Sequence, residues 1–438
     1  MLEKINLLFW GYGTIALILV TGIIFSVKIG FLQLNLPKIL RSTIFAKSAK
    51  KNGEISRFQA LSTALAASMG TGNIVGVAAA ISLGGAGAVF WMWVSAFFGM
   101  GTAYAENYLG VVYKNKRGKT GDKSAATRPT ASSGALTYLE HGLGAKPLAV
   151  FYAVAAVLAS FGVGNMTQSN AISGALSEGN FGAKIAIGIV TAIAAGAVII
   201  GGAKRIAAAS EKIIPIISLF YIVGAVVVIA LNYKNIPYAF ESIFRGAFGI
   251  SAVGGGISGT LIKYTVTIGL QRGIFSNEAG MGSSVFVHTE TDCKDGAVMG
   301  MWAMAEVFID TLICCSVTAL VILTAKTDLN AETITVVSTA FEAGLGQFAG
   351  VFIKISSVIF AFATILGWSF YGEKAVFYLT DKKGVKRGYI FVYLALVVVG
   401  AVINISIVWQ LSDIFNALML IPNLIGILYL AKEVKKPL

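Results

Sequence analysis

The chain is 438 residues long, with 56% hydrophobic residues, 13% charged residues and a formal net charge of +13; its mean hydropathy is +0.78. A soluble core needs a polar shell that this composition cannot supply, whereas apolar runs of about 20 residues, enough to cross a hydrocarbon layer of roughly 30 Å, recur throughout. The sequence therefore predicts an all-α polytopic membrane protein. Cys293, Cys314 and Cys315 are too few and too poorly spaced for a disulfide framework or a zinc site. With His141 and His288 the only histidines, a metal cluster or Ser-His catalysis is not expected. No P-loop is present to drive a pump with nucleotide. Neither an enzyme nor a cofactor is expected.

In chain order the apolar runs predict about 11 transmembrane helices, near 6–27, 57–82, 86–112, 147–176, 184–203, 211–231, 257–284, 297–325, 349–379, 388–406 and 411–431. The first lacks a small-residue cleavage site and opens a continuing series, so it reads as a retained helix. The stretch 328–348 is too polar to span and reads as a short helix lying outside. With the N-terminus outside, the cytoplasmic loops hold 25 Lys or Arg and the outer segments hold 5, namely Lys4, Lys184, Lys234, Arg245 and Lys326. The positive-inside rule thus favours a multi-pass protein of the cell (plasma) membrane, N-terminus outside and C-terminus cytoplasmic. The same asymmetry accounts for most of the positive charge, with the lipid bilayer as partner and no nucleic acid.

Residues 64–79 read "ALAASMGTGNIVGVAA", three glycines with Thr71 and Asn73 inside a predicted span. A helix broken at mid-membrane frees backbone groups that lipid cannot satisfy, so protein, water, solute or ions must replace the lost bonds. Close packing along Gly72-x-x-x-Gly76 is the bland reading, but it does not call for the polar neighbours. A second stretch, "GLQRGIFSNEAGMGSS" (269–284), has the same character. It lies five helices later, so the two units enter the membrane from opposite faces. That pattern marks an inverted repeat with a mid-membrane site for a solute and a cation.

"TALAASMGTGNIVGVAAAISLGGAGAVFWMW", "RGIFSNEAGMGSS", "VFIDTLICCSVTAL" and "FATILGWSFYGEKAVFYL" resemble the alanine or glycine:cation symporter family over residues 10 to 430. The resemblance implies a leucine-transporter-type 5+5 inverted repeat with one extra N-terminal helix. The expected organisation is 1–56 (extra helix and basic loop), 57–231 (first repeat), 232–256 (outer connection), 257–431 (second repeat) and 432–438 (tail). It also implies sodium-coupled symport of small neutral amino acids, alanine or glycine. One segment departs from the family: "RPTASSGALTYLEHGLG" stands where "GGPMYY" is usual, in a cytoplasmic loop.

By the same resemblance, backbone N–H groups of Gly70, Thr71 and Gly72 take the substrate carboxylate, as donors at a half-helix start can. Carbonyls near Ala67 and Ser68 take the ammonium, and Gly273, Ile274 and Phe275, with Gln271, come from the other broken helix. Sodium is assigned to the Ala66, Met69 and Ala363 carbonyls and the Thr364 hydroxyl. Trp368 sits one helical turn beyond Thr364; it is either a wall that limits substrate size or an interfacial anchor. Asn165, Thr167, Gln168 and Asn170 either face the pocket, Gln168 and Asn165 foremost, or bond neighbouring helices.

Intramembrane charges are functional candidates. Asp310 with Asn73 is a candidate second cation site. The alternative is a structural ion pair, such as Glu278 with Lys354 or Arg272, with Lys263 a further basic partner. Glu106, Glu373 and Lys374 are expected to snorkel or pair at the cytoplasmic ends. A proton-coupled symporter and a passive channel with glycine-rich re-entrant segments remain alternatives.

Overall fold

The expected helices take shape through caps and breaks that the sequence encodes locally. In a computed structural model, residues 2–44, 55–119, 134–177, 179–249 and 258–437 are described. They are helical throughout, with no strand among them. The departing segment lies partly outside them, at 128–133, as do 250–256 of the outer connection.

Among the described residues, eight helices are long and apolar enough to cross a membrane, from Gly87–Arg117 to Ser406–Tyr429. Phe181–Ile199 and Lys383–Val402 are the least enclosed, with 28% of each span buried. They pack on each other and turn Val190, Ile193, Phe391 and Val399 outward. Such faces are stable only against lipid.

Three predicted spans are shorter or interrupted helices. The first divides at Trp10 and Gly11 into Leu2–Phe9 and Tyr12–Lys28, and Trp10 Nε1 donates to the Asp413 carbonyl at 3.0 Å. The second begins with a capping box in which Ser56 and Gln59 exchange hydrogen bonds. It runs as Arg57–Ser68, breaks, makes a 3₁₀ turn at Thr71–Asn73, and resumes as Val75–Gly84.

The third differs from expectation. Ser258–Asn277 is helical through the whole of "GLQRGIFSN", and the break falls at 278–284. Gly273 is a packing residue in this helix: a Cβ there would lie 2.9 Å from Ser95 and 3.3 Å from the Met92 Cα. The left-handed residues come later, Glu278 (φ 56°), Gly280 (φ 94°) and Gly282 (φ 68°). At the last two, glycine is the residue the backbone requires.

Two of the helices outside the spans bear on the layout. Thr333–Leu345 is the short helix expected in 328–348. Ile236–Ala247, begun by a proline in its first turn, was not expected and packs on the Gly87–Lys119 helix.

Candidate functional site

The first break gathers three elements around Gly70. Thr364, on the Phe348–Leu379 helix, donates its hydroxyl to the Ala66 carbonyl at 2.8 Å. Gln168 accepts from the Thr71 N–H at 3.1 Å through Oε1 and donates to the Val163 carbonyl at 2.9 Å through Nε2. The second bond spans a π turn at Gly162–Met166, which sets where the Gln168 side chain leaves its helix.

Gly70 lies between these groups. A Cβ there would stand 2.5 Å from Thr364 Oγ1 and 2.8 Å from Gln168 Oε1. Gly72 is less confined, with Phe275 and the Ser276 backbone at 3.4 Å. Thr71 Oγ1 is buried without a hydrogen-bond partner among the described residues. Buried polar atoms are seldom left so, and a solute or ion is one way to satisfy them.

Ala66, Ala67, Met69 and Ala363 are buried about the same break. Gly367 lets the two helices meet, since a Cβ there would lie 2.8 Å from the Ala67 nitrogen. Trp368, fully buried, presses on Gly164, and its Nε1 donates to Glu278 Oε1 at 2.8 Å. It is no interfacial anchor.

A second cluster adjoins the break. Asn73 Nδ2 donates to Asp310 Oδ1 at 2.8 Å, and Asp310 Oδ2 accepts from Ser276 Oγ at 2.7 Å and Thr311 Oγ1 at 2.8 Å. Thr318 Oγ1 donates to the Asn73 carbonyl at 2.8 Å. Asp310 lies in a π segment, Phe308–Cys315, a distortion often found at functional sites. Asn73 Oδ1 is buried without a partner among the described residues. Asp310→Asn keeps the size and most hydrogen bonds but removes the charge. Its expected result is weaker cation binding at normal protein yield; unaltered cation binding would leave Asp310 a scaffold.

Other expected site residues are placed elsewhere. Gln271 lies with Arg272, Trp409 and Asp413 on the wall of a separate cavity of about 960 Å³. Arg272 approaches Asp413 at 3.4 Å and stacks over Trp409 at 4.7 Å. The expected pairing of Glu278 with Arg272 or Lys354 is therefore replaced. Glu278 accepts from Trp368 and from Ser283 Oγ, the latter at 2.6 Å, because the left-handed turn directs it away from its own helix. Lys263 lies 4.1 Å over the Tyr12 ring.

Ile274 is buried in the helix; Phe275 stays beside the first break, with its ring 3.4 Å from where a Gly72 Cβ would stand and 4.6 Å from Trp409 between ring centres. Asn165, Thr167 and Asn170 bond Tyr393, Ser412 and the Gly400 and Ile403 carbonyls respectively, so they join helices. Glu373 and Lys374 pair as expected, with Lys386 and Glu290, each at 2.7 Å. Glu106 does not snorkel: it is 1% exposed and accepts from the Gly282 N–H at 3.1 Å.

Ser276 and Thr311 were not legible as site residues from spacing alone; only Ser276 carried a hint, the polarity of "SNEAGMGSS". Glu278 was expected as an intramembrane charge, and the structure sets it against Trp368 and Ser283 instead of a base.

A polytopic helical bundle whose broken helix faces buried, unpartnered oxygens has the form of a membrane transporter. The model of the sodium:alanine symporter family matches residues 1–438, and the chain belongs to that family. It is 40% identical to the sodium/alanine symporter AgcS of Methanococcus maripaludis, over 98% of this chain and 94% of that protein. The amino-acid carrier protein AlsT of Bacillus subtilis is 34% identical, over 95% and 86%. A second protein of Bacillus subtilis, named "Probable sodium/glutamine symporter GlnT", is 35% identical, over 98% and 87%. The chain is a transporter and not an enzyme.

Proposed function

We propose that this protein imports alanine, and glycine beside it, driven by sodium moving inward. Membership of the sodium:alanine symporter family and similarity to the sodium/alanine symporter AgcS support alanine and sodium. The observation that carries the site is the meeting of Thr364 Oγ1 with the Ala66 carbonyl at 2.8 Å, directly beside Gly70. A hard cation favours such oxygens, and half-helix ends in transporters supply them.

In this reading sodium lies among the Ala66, Met69 and Ala363 carbonyls and Thr364 Oγ1. Displacing the Thr364 hydrogen bond frees the Ala66 oxygen for the ion. The substrate carboxylate takes the N–H groups of Gly70, Thr71 and Gly72, and the Gln168 amide turns from Thr71 to join it. Carbonyls near Ala67 and Ser68 hold the ammonium, and Phe275 and Trp368 bound the methyl group. Asn73 with Asp310 offers a place for a second cation.

The proposed frame has eleven spans, two inverted five-helix units after one extra helix, the N-terminus outside and the C-terminus cytoplasmic. The ends of segments assigned to the outside support it: Asn6, Leu83, Lys263, Thr333 and Ser406 line one cavity. Alternating access then follows from rocking of one unit against the other around a fixed site.

Labelled alanine binding to purified protein in sodium chloride, then in choline chloride, tests the proposal. Binding that requires sodium supports it, and equal binding in both salts overturns the coupling. Trp368→Ala is expected to let serine and glutamine compete with alanine more strongly. An unaltered competition series would return Trp368 to packing.

A further inference from the structure

The stretch 278–284 between Ser258–Asn277 and the short Val285–His288 helix is fixed by side chains from other helices. Gly282 donates its N–H to Glu106, Asn423 Nδ2 donates to the Gly280 carbonyl at 2.8 Å, and Tyr152 donates its hydroxyl to the Met281 carbonyl at 2.6 Å. Glu278 reaches from the stretch toward the Phe348–Leu379 helix. Its Oε1 accepts from Trp368 Nε1 at 2.8 Å while Oε2 accepts from Ser283 Oγ at 2.6 Å.

Glu278 holds this position at a cost. It is 4% exposed and left-handed at φ 56°, a conformation that non-glycine residues rarely take and that persists where its surroundings over-determine it. An extended backbone at 278 would point the carboxylate away from the indole. Trp368, in turn, is fully buried, close against Gly164 and edge-on to the Tyr371 ring at 5.5 Å. Within that packing the bond from its N–H to Glu278 is the indole's one polar tie among the described residues, and it fixes the ring about the broader χ2 torsion.

We propose that Glu278 is a positioning residue for substrate size: it holds the Trp368 indole across from the second broken helix, so that the pocket wall and the 278–284 stretch move together. The proposal rests on the reading of Trp368 as a wall of the alanine pocket. Glu278 itself touches no substrate. When the stretch shifts during inward opening, the bond to the indole is what carries that shift to the pocket.

The test is competition against labelled alanine uptake by full-length protein in proteoliposomes, scored as the glutamine-to-alanine ratio of half-inhibiting concentrations. Trp368→Phe keeps an aromatic wall but lacks the N–H, and Glu278→Ala lacks the acceptor. Each is expected to lower the ratio about tenfold, the scale of one buried hydrogen bond. Glu278→Gln keeps an amide oxygen for the indole and is expected to stay near wild type. The Glu278→Ala/Trp368→Phe double variant should shift no further than either single one, since both remove the same bond.

A wild-type ratio in Glu278→Ala, or additive shifts in the double variant, would overturn the proposal while leaving the alanine site standing. If Glu278→Ala does not fold, Trp368→Phe decides alone, and an unchanged ratio there overturns the link. Should Trp368→Ala also leave the ratio unchanged, the pocket-wall reading fails, and this proposal with it.

Discussion

Gly70→Ala is expected to remove most sodium-driven alanine uptake while the protein still reaches the membrane. The added methyl would stand 2.5 Å from Thr364 Oγ1 and 2.8 Å from Gln168 Oε1, well inside contact distance. Both neighbours are held, Thr364 by the Ala66 carbonyl and Gln168 by the Val163 carbonyl. Relief therefore has to come from moving the groups assigned to ion and substrate. Overpacking of this kind costs about 1–3 kcal/mol, or roughly five- to hundredfold in affinity if the bound state bears it. Gly72→Ala provides the contrast. Its nearest neighbours stand at 3.4 Å, ordinary contact, so a milder loss is expected. Initial uptake rates normalised to the amount of folded protein check both. Equal, wild-type rates in the two variants would place the site away from Gly70.

Thr364→Ala is expected to raise the sodium concentration needed for half-maximal uptake by about tenfold, as losing one oxygen ligand from a buried ion site would. The substitution also leaves the Ala66 carbonyl without its 2.8 Å donor. Thr364→Ser keeps the hydroxyl and should restore most of the sodium affinity. Measuring uptake against sodium for the three proteins separates ion binding from folding. A folding defect lowers the maximum rate at all sodium concentrations, whereas loss of a ligand moves the midpoint. An unmoved midpoint in Thr364→Ala would send the ion elsewhere, with the Asp310 cluster next in line.

What the sequence disclosed follows from how local each signal is. The break at 69–74 was legible because glycine, threonine and asparagine within an apolar run violate a local rule that has few solutions in lipid. Thr364 and Trp368 share a helix and a face, so fixing one suggested the other. The second break was displaced by several residues because two kinds of glycine look alike in sequence. Gly273 serves contact with Met92 and Ser95, while Gly280 and Gly282 serve a left-handed backbone.

Of the long-range pairings, Asn73 with Asp310 and Ala66 with Thr364 were expected and meet, but those outside the broken helix and its resemblance were not legible. Arg272 with Asp413 lies across 141 residues of chain, and Trp368 with Glu278 across 90; neither carries a local mark. The Ile236–Ala247 helix was hidden for a different reason. It carries Glu241 and Arg245, an i,i+4 pair at 3.0 Å, and polar residues between spans read as a loop. Its role is to cover the Gly87–Lys119 helix, which becomes visible only once the two are packed.

The most direct measurement is concentrative uptake of labelled alanine into proteoliposomes under an inward sodium gradient, an inward proton gradient, or neither. Accumulation above the outside concentration with sodium alone is the predicted result. Accumulation with protons alone, or flux that only equilibrates, would contradict sodium coupling and the assignment of Thr364 and Ala66 to the ion.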